Sequence, residues 1–91
     1  MKVLIIEDDE ILSDTLKQCM ENKYKTEQAY DGEEGLLNAR KGIYDVTILD
    51  LMLPRLNGYE VLIQLRKEKI YTPVLILTAK DSLGDKVKGF Q

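Results

Sequence analysis

The chain has 91 residues, with 13 Lys and Arg against 16 Asp and Glu, no His and one Cys. This length suits one domain, and a hydrophobic share of 44% with 32% charged residues is typical of a folded protein rather than a disordered one. Because the net charge is -3 and basic residues form no run, nucleic acid is not expected as a direct partner. The single Cys19 and the absence of His exclude a disulfide framework, a Cys-rich zinc site and a Cys–His nucleophile pair.

The apolar stretch at the start of the chain covers only residues 3–6 before an acidic residue follows. It is too short for the apolar core of a signal peptide or for a membrane span. We therefore expect a cytoplasmic location.

Three short runs of apolar, largely β-branched residues occupy positions 3–6, 46–49 and 74–77. Continuous rather than alternating hydrophobicity predicts strands that are buried on both faces, as in the centre of a parallel sheet. A weaker, more polar run over residues 25–30 predicts an edge strand.

Segments with helical periodicity separate these strands. The first helix is predicted from an apolar stripe formed by Ile11, Leu12, Thr15, Leu16, Cys19 and Met20. A second helix is predicted over residues 33–41, ended by Gly42.

A third helix is predicted over residues 58–68, with Asn57 as its N-cap. Its candidate inward positions are Tyr59, Val61, Leu62 and Leu65. A fourth helix is predicted to begin near Ser82, with Leu83 and Val87 on one face.

The alternation of strands and helices, joined by right-handed crossovers, predicts an α/β fold with an open, doubly wound parallel sheet. No repeat, linker or low-complexity stretch interrupts residues 1–91, which are expected to belong to one domain. In such sheets the functional site lies beyond the carboxyl ends of the strands.

Polar side chains follow three of the predicted strands. Residues 7–10 are all acidic and follow the first strand, Asp50 ends the third, and Thr78 follows the fourth. Asp9 and Glu10 are explained by helix capping and by the preference for acidic residues in a first helical turn. No helix begins directly after Asp50, so its carboxylate has no evident structural role.

Several carboxylates at one point repel each other and predict a bound divalent cation. Oxygen ligands without His or Cys favour Mg²⁺ or Mn²⁺ over zinc or copper. A carboxylate beside a cation that holds phosphate oxygens is suited to be the nucleophile of phosphoryl transfer. A nearby Thr hydroxyl can donate to a phosphoryl oxygen.

Two other functions use similar features. A flavodoxin-type protein would need a phosphate-binding first loop, which the acidic residues 7–10 would oppose, and no glycine-rich loop motif occurs. A Mg²⁺-dependent phosphatase with an Asp nucleophile usually carries a second acid two residues later, where this chain has Met52, so its turnover would be poor.

Five segments carry a resemblance to a known family: VLIIEDD at 3–9, YDG at 30–32, YDVTILDLMLP at 44–54, NGYE at 57–60 and TPVLILTAK at 72–80. Together and in this order they are highly specific. Over its whole length the chain resembles the receiver domain of two-component response regulators, most closely those that precede a winged-helix DNA-binding domain. The resemblance implies a flavodoxin-like sheet with strand order 2-1-3-4.

The resemblance also implies roles for individual residues. Asp50 would be the phosphoacceptor, which takes a phosphoryl group from a sensor histidine kinase and also binds Mg²⁺. Asp8 would bind Mg²⁺ directly, Glu7 would hold a metal-bound water, and the backbone carbonyl of Met52 would be a further ligand. Thr78 would be the hydroxyl that moves toward the phosphoryl group. The chain would not be an enzyme, and the longer parent protein would control transcription.

The family pattern continues beyond the fourth strand with a fifth strand, which carries a phosphate-contacting Lys, and a fifth helix; neither is found in these 91 residues. Residues 1–91 are therefore expected to be a truncated receiver domain that leaves the fourth strand as an open apolar edge. This edge predicts self-association or else loose packing. The absence of the phosphate-contacting Lys predicts slow phosphorylation or none. A signalling-incompetent, self-associating fragment stays open as an alternative function.

Overall fold

Strands and helices alternate along the chain in the computed structural model, which describes residues 1–77 and the backbone of residues 87–90. The strands are β1 (Lys2–Ile6), β2 (Lys25–Ala29), β3 (Val46–Asp50), β4 (Val74–Leu77) and β5 (Val87–Phe90). The helices are α1 (Glu10–Met20), α2 (Gly32–Ala39) and α3 (Gly58–Lys67). The helix and strand predictions over residues 1–77 are thereby confirmed to within two residues at each end.

The first four strands form a parallel sheet in the order β2-β1-β3-β4, as predicted. β1 and β3 lie at the centre, where continuous apolar sequence is expected because both faces are covered. β2 carries the polar sequence KTEQA and forms one edge. The register pairs Asp50, the last residue of β3, with Leu77, the last residue of β4.

A fifth strand, which the sequence did not predict, pairs antiparallel with β4 over Val87–Phe90. The prediction of an open β4 edge is therefore wrong, because backbone groups along β4 pair with β5 rather than remaining exposed. The predicted helix from Ser82 is wrong where it includes Val87, which lies in β5. Ser82 and Leu83 lie outside the described residues.

The helices cover both faces of the sheet. On one face α2 and α3 bury Leu36, Val61 and Leu65 against Leu4 and Ile6 of β1. The other face holds a smaller cluster built from Val3, Ile5, Ile48, Leu16 and Met20. Successive residues of a central strand thus enter different clusters, as the twofold repeat of a strand requires.

The inward faces of the helices are narrower than the sequence indicated. In α1 the inward positions are Ser13, which is fully buried, Leu16 and Met20, whereas Ile11 is 81% exposed and Leu12 and Cys19 are exposed. The hydroxyl of Ser13 accepts a hydrogen bond from Gln28 of β2, so a polar residue occupies a position that a hydrophobicity pattern cannot identify.

In α3, Val61 and Leu65 are buried and Leu62 is partly buried, whereas Tyr59 is exposed. None of the helices in the described part of the chain is long and apolar enough to cross a membrane.

Candidate functional site

Two acidic residues lie where the central strands end. Glu7 directly follows β1, and its N–H donates to the carbonyl of Ala29 at 3.0 Å, which extends the ladder between β1 and β2 by one residue. Asp50 is the last residue of β3, and the next N–H, from Leu51, donates to the carbonyl of Leu77 at 3.1 Å. Because β1 and β3 are parallel neighbours, the sheet itself brings Glu7 and Asp50 to one edge.

Asp8 completes a cluster of three carboxylates. Glu7, Asp8 and Asp50 each offer a carboxylate oxygen, and these oxygens all lie within 4.8 Å of one another. Glu7 is 2% exposed and Asp50 is 1% exposed, whereas Asp8 is exposed to solvent. The cluster is therefore a buried pair of acids with a third at its solvent side.

The buried acids have few hydrogen-bond donors. Oδ1 of Asp50 accepts from the N–H of Met52 at 3.0 Å, and Oε2 of Glu7 accepts from the N–H of Asp9 at 3.0 Å. Oδ2 of Asp50 is buried without a hydrogen-bond partner among the described residues. A buried acceptor without a donor costs about 1–3 kcal/mol, and more when it is charged, so this oxygen is the atom that most needs a ligand.

The electrostatics of the cluster also favour a bound cation. Burial raises the pKa of Glu7 from 4.5 to about 8, opposed by the hydrogen bond from the Asp9 N–H and reinforced by the charge of Asp50. Without a cation, Glu7 therefore holds a proton at neutral pH, which relieves the repulsion between the acids. A bound divalent cation would offset the repulsion between the acids in place of the proton, and Glu7 would then release that proton.

The donor set fits a hard divalent cation. It contains only oxygen atoms, and the part of the chain that the structure describes brings no His or Cys to the cluster. One carboxylate is open to solvent, which leaves room for water or phosphate oxygens on the ion.

The start of α3 lies directly against the backbone of Asp50. A Cβ atom on Gly58 would overlap the carbonyl oxygen of Asp50 and come within 2.7 Å of Cα of Leu51. The N-cap Asn57 accepts from the N–H of Glu60 at 3.0 Å, which confirms the predicted cap. The role of Gly58 was not predicted from the sequence, and its one local signal is a Gly directly after an N-cap residue, where the chain can approach another backbone closely.

The structure brings together Glu7, Asp8 and Asp50 as the sequence indicated, and the N–H of Met52 contacts Asp50. Asp9 is the N-cap of α1 and accepts from the N–H groups of Ile11 and Leu12, which confirms its predicted capping role. Thr78 lies outside the described residues.

Comparison with known proteins assigns this arrangement to a family. The sequence model of the family described as the response regulator receiver domain matches residues 3–91. The transcriptional regulatory protein CiaR of Streptococcus pneumoniae is 50% identical over 91 residues, which are 100% of this chain and 41% of CiaR. The alkaline phosphatase synthesis transcriptional regulatory protein PhoP of Bacillus subtilis is 43% identical over 91 residues, 99% of this chain and 38% of PhoP. The chain thus spans less than half the length of either relative.

Solved structures agree with the fold. The receiver domain of the Francisella response regulator 1452 superimposes with a TM-score of 0.82 at 40% identity, covering 91% of this chain and 69% of that one. The response regulator TrrA of Thermotoga maritima, in complex with Mg²⁺ and BeF, gives a TM-score of 0.79 at 33% identity, covering 88% and 70% of the two chains.

Proposed function

The chain belongs to the response regulator receiver domain family, and we propose that it is a phosphoacceptor module whose Asp50 takes a phosphoryl group from a sensor histidine kinase. The observation that carries this proposal is the buried Asp50 carboxylate, which lies beside Glu7 and Asp8 with one oxygen free of hydrogen bonds among the described residues. The names of the relatives support control of transcription as the output of the whole protein. A cytoplasmic location fits this role.

The two oxygens of Asp50 are not equivalent. Oδ1 accepts a hydrogen bond from the N–H of Met52. Oδ2 accepts none among the described residues, so its lone pairs are available for attack on phosphorus. In the transfer, a P–O bond forms to Asp50 and the P–N bond of the donor phosphohistidine breaks. The electron pair of that bond returns to the imidazole nitrogen, which takes a proton, and the product is an acyl phosphate on Asp50.

We assign Mg²⁺ as the cofactor, held by the carboxylates of Asp8 and Asp50 and the backbone carbonyl of Met52, with Glu7 on a metal-bound water. When bound, Mg²⁺ supplies positive charge that offsets the acids and the phosphoryl oxygens. The hydroxyl of Thr78, which follows β4 in the sequence, would donate to a phosphoryl oxygen.

Intact-mass measurement after incubation with Mg²⁺ and a small acyl phosphate tests the proposal. We expect a single phosphoryl mass increment that Asp50→Asn abolishes. Asp45→Asn is the matched control. This exposed carboxylate accepts from the N–H of Lys2 at the amino-terminal ends of the strands, far from Asp50, so its loss should leave the modification intact. The assignment of Asp50 would be rejected if Asp50→Asn were still modified. It would also be rejected if the unsubstituted protein bound Mg²⁺ and were never modified.

The two alternative functions predict other outcomes of the same experiment. A Mg²⁺-dependent phosphatase would release phosphate continuously, which we do not expect, because Met52 takes the place of a second acid two residues after Asp50. A signalling-incompetent piece would bind Mg²⁺ and stay unmodified.

Self-association is tested separately by light scattering. β5 pairs with β4, so a second copy that adds to this side of the sheet would have to pair with β5 rather than with β4. We expect the sensor kinase rather than nucleic acid to be the direct partner, given the net charge of -3.

A further inference from the structure

The loop between β3 and α3 contains a strained turn. The N–H of Leu56 donates to the carbonyl of Pro54 at 2.8 Å, so the bond closes over a single residue, Arg55. Arg55 has φ of 69°, in the left-handed region that side chains with a Cβ rarely adopt. This is a γ-turn of the rare, strained kind, and such conformations persist only where surrounding contacts stabilise them.

The start of α2 supplies those contacts. The carbonyl of Pro54 accepts a second hydrogen bond, from the N–H of Gly32 at 3.2 Å. Gly32 allows this approach because a Cβ there would overlap the carbonyl oxygen of Leu56. Nε of Arg55 lies 3.6 Å from Oδ2 of Asp31, whose other oxygen caps α2 through the N–H of Glu34.

The other end of the same loop determines how the Asp50 carboxylate is held. The N–H of Met52 donates to Oδ1 of Asp50, and only Leu53 separates Met52 from Pro54. With so short a connection, a change of backbone conformation at Arg55 alters the position of the Met52 peptide.

We propose that Arg55 is a positioning residue for the acidic site. Its ion pair with Asp31 stabilises the left-handed turn, and the turn keeps the Met52 peptide in hydrogen-bond contact with Asp50. The inference rests on the proposed Mg²⁺ site. It assigns a functional role to a loop residue that is itself 64% exposed and that is not one of the acidic ligands.

Two substitutions separate this role from a simple effect of charge. Arg55→Ala removes the ion pair with Asp31 and a longer one with Glu33, at 3.9 Å, but keeps a Cβ, so the turn is strained and unsupported. We expect Mg²⁺ affinity to fall about three- to fivefold, the scale of partly exposed ion pairs. Arg55→Gly removes the same charge but adopts positive φ without strain, so we expect affinity within about twofold of the original protein. If only charge mattered, both variants would bind Mg²⁺ more tightly, because a cation near the site would be gone.

Lys69→Ala is the matched control. Lys69 also has a positive φ, 64°, but it follows the end of α3, where its N–H donates to Arg66. We expect this variant to bind Mg²⁺ as the original protein does. That result would show that loss of a cationic side chain at a residue with positive φ does not by itself weaken Mg²⁺ binding.

The measurements are Mg²⁺ titration calorimetry and the NMR shift of the Met52 amide, which reports its hydrogen bond to Asp50. The proposal is supported if Arg55→Ala weakens binding and moves the Met52 amide while Arg55→Gly does neither. It is overturned if both variants bind like the original protein, or both bind more tightly, with that amide unmoved. If the original protein binds no Mg²⁺, the proposed metal site fails, and the Met52 amide in the metal-free variants still decides the role of Arg55.

Discussion

Asp50→Asn is expected to stabilise the metal-free domain. The substitution removes one of two nearly fully buried acids while keeping the size and shape of the side chain. It also replaces Oδ2, an atom without a donor among the described residues, with an amide group that can donate to the remaining acids.

The distance within the cluster sets the size of the effect. The carboxylate oxygens lie within 4.8 Å of one another, and two charges at that limit repel by about 3 kcal/mol at an effective dielectric constant of about 20. Protonation of Glu7 removes part of this repulsion near neutral pH, because its pKa is raised to about 8. We therefore expect Asp50→Asn to raise the free energy of unfolding by about 1 kcal/mol near pH 6 and by up to about 3 kcal/mol near pH 9.

The sign of the pH dependence follows from the shift of Glu7. Its pKa is about 8 in the folded chain against 4.5 as the ordinary value, so between these values the folded state binds more protons than the unfolded state. The stability of the unsubstituted protein thus falls as pH rises through this window. In Asp50→Asn the nearby charge is gone, so the fall is smaller and the two stabilities diverge.

Urea unfolding followed by circular dichroism, with a chelator present and at several pH values, measures the difference. Asp45→Asn, at the amino-terminal ends of the strands, should change stability little and equally at every pH. Excess Mg²⁺ should stabilise the unsubstituted protein more than Asp50→Asn, since its ligand set is intact. A variant less stable than the unsubstituted protein, or a gain that does not grow with pH, would refute the reasoning.

Three further predictions concern α3 and are measured by urea unfolding. Gly58→Ala should cost about 1–3 kcal/mol despite the better helix propensity of Ala, because its Cβ would overlap the Asp50 backbone; a gain in stability would contradict this close approach. Asn57→Ala should cost about 1 kcal/mol through loss of the N-cap, whereas Asn57→Asp should cost little. Leu65→Ala should cost about 2–5 kcal/mol, with the exposed Ile63→Ala as the control near zero; similar losses at the two positions would contradict their assigned faces.

Much of the fold over residues 1–77 could be predicted because its signals are local. The apolar runs of β1, β3 and β4 identify buried strands, and the polar sequence of β2 identifies an edge. The acidic cluster followed from the same reasoning, because parallel neighbours end at one edge and both Glu7 and Asp50 stand at strand ends.

Other features depend on distant contacts that no local pattern contains. The inward position of Ser13 is explained by its hydrogen bond with Gln28 of β2, and the closeness of Gly32 to Leu56 joins two loops far apart in sequence. The pairing of β5 with β4 likewise depends on tertiary context, which overrides the helical periodicity around Val87. The raised pKa of Glu7 required knowledge of its burial.

The two strands that present the buried acids have a neighbour on each side. β1 lies between β2 and β3, and β3 lies between β1 and β4. Backbone amides in such central strands exchange with solvent only through openings close to complete unfolding, whereas loops open at much lower cost. A chemical change at Asp50 would therefore leave the strands beneath it in place. Any conformational change that it causes is expected in the loops beyond the strand ends rather than in the strands.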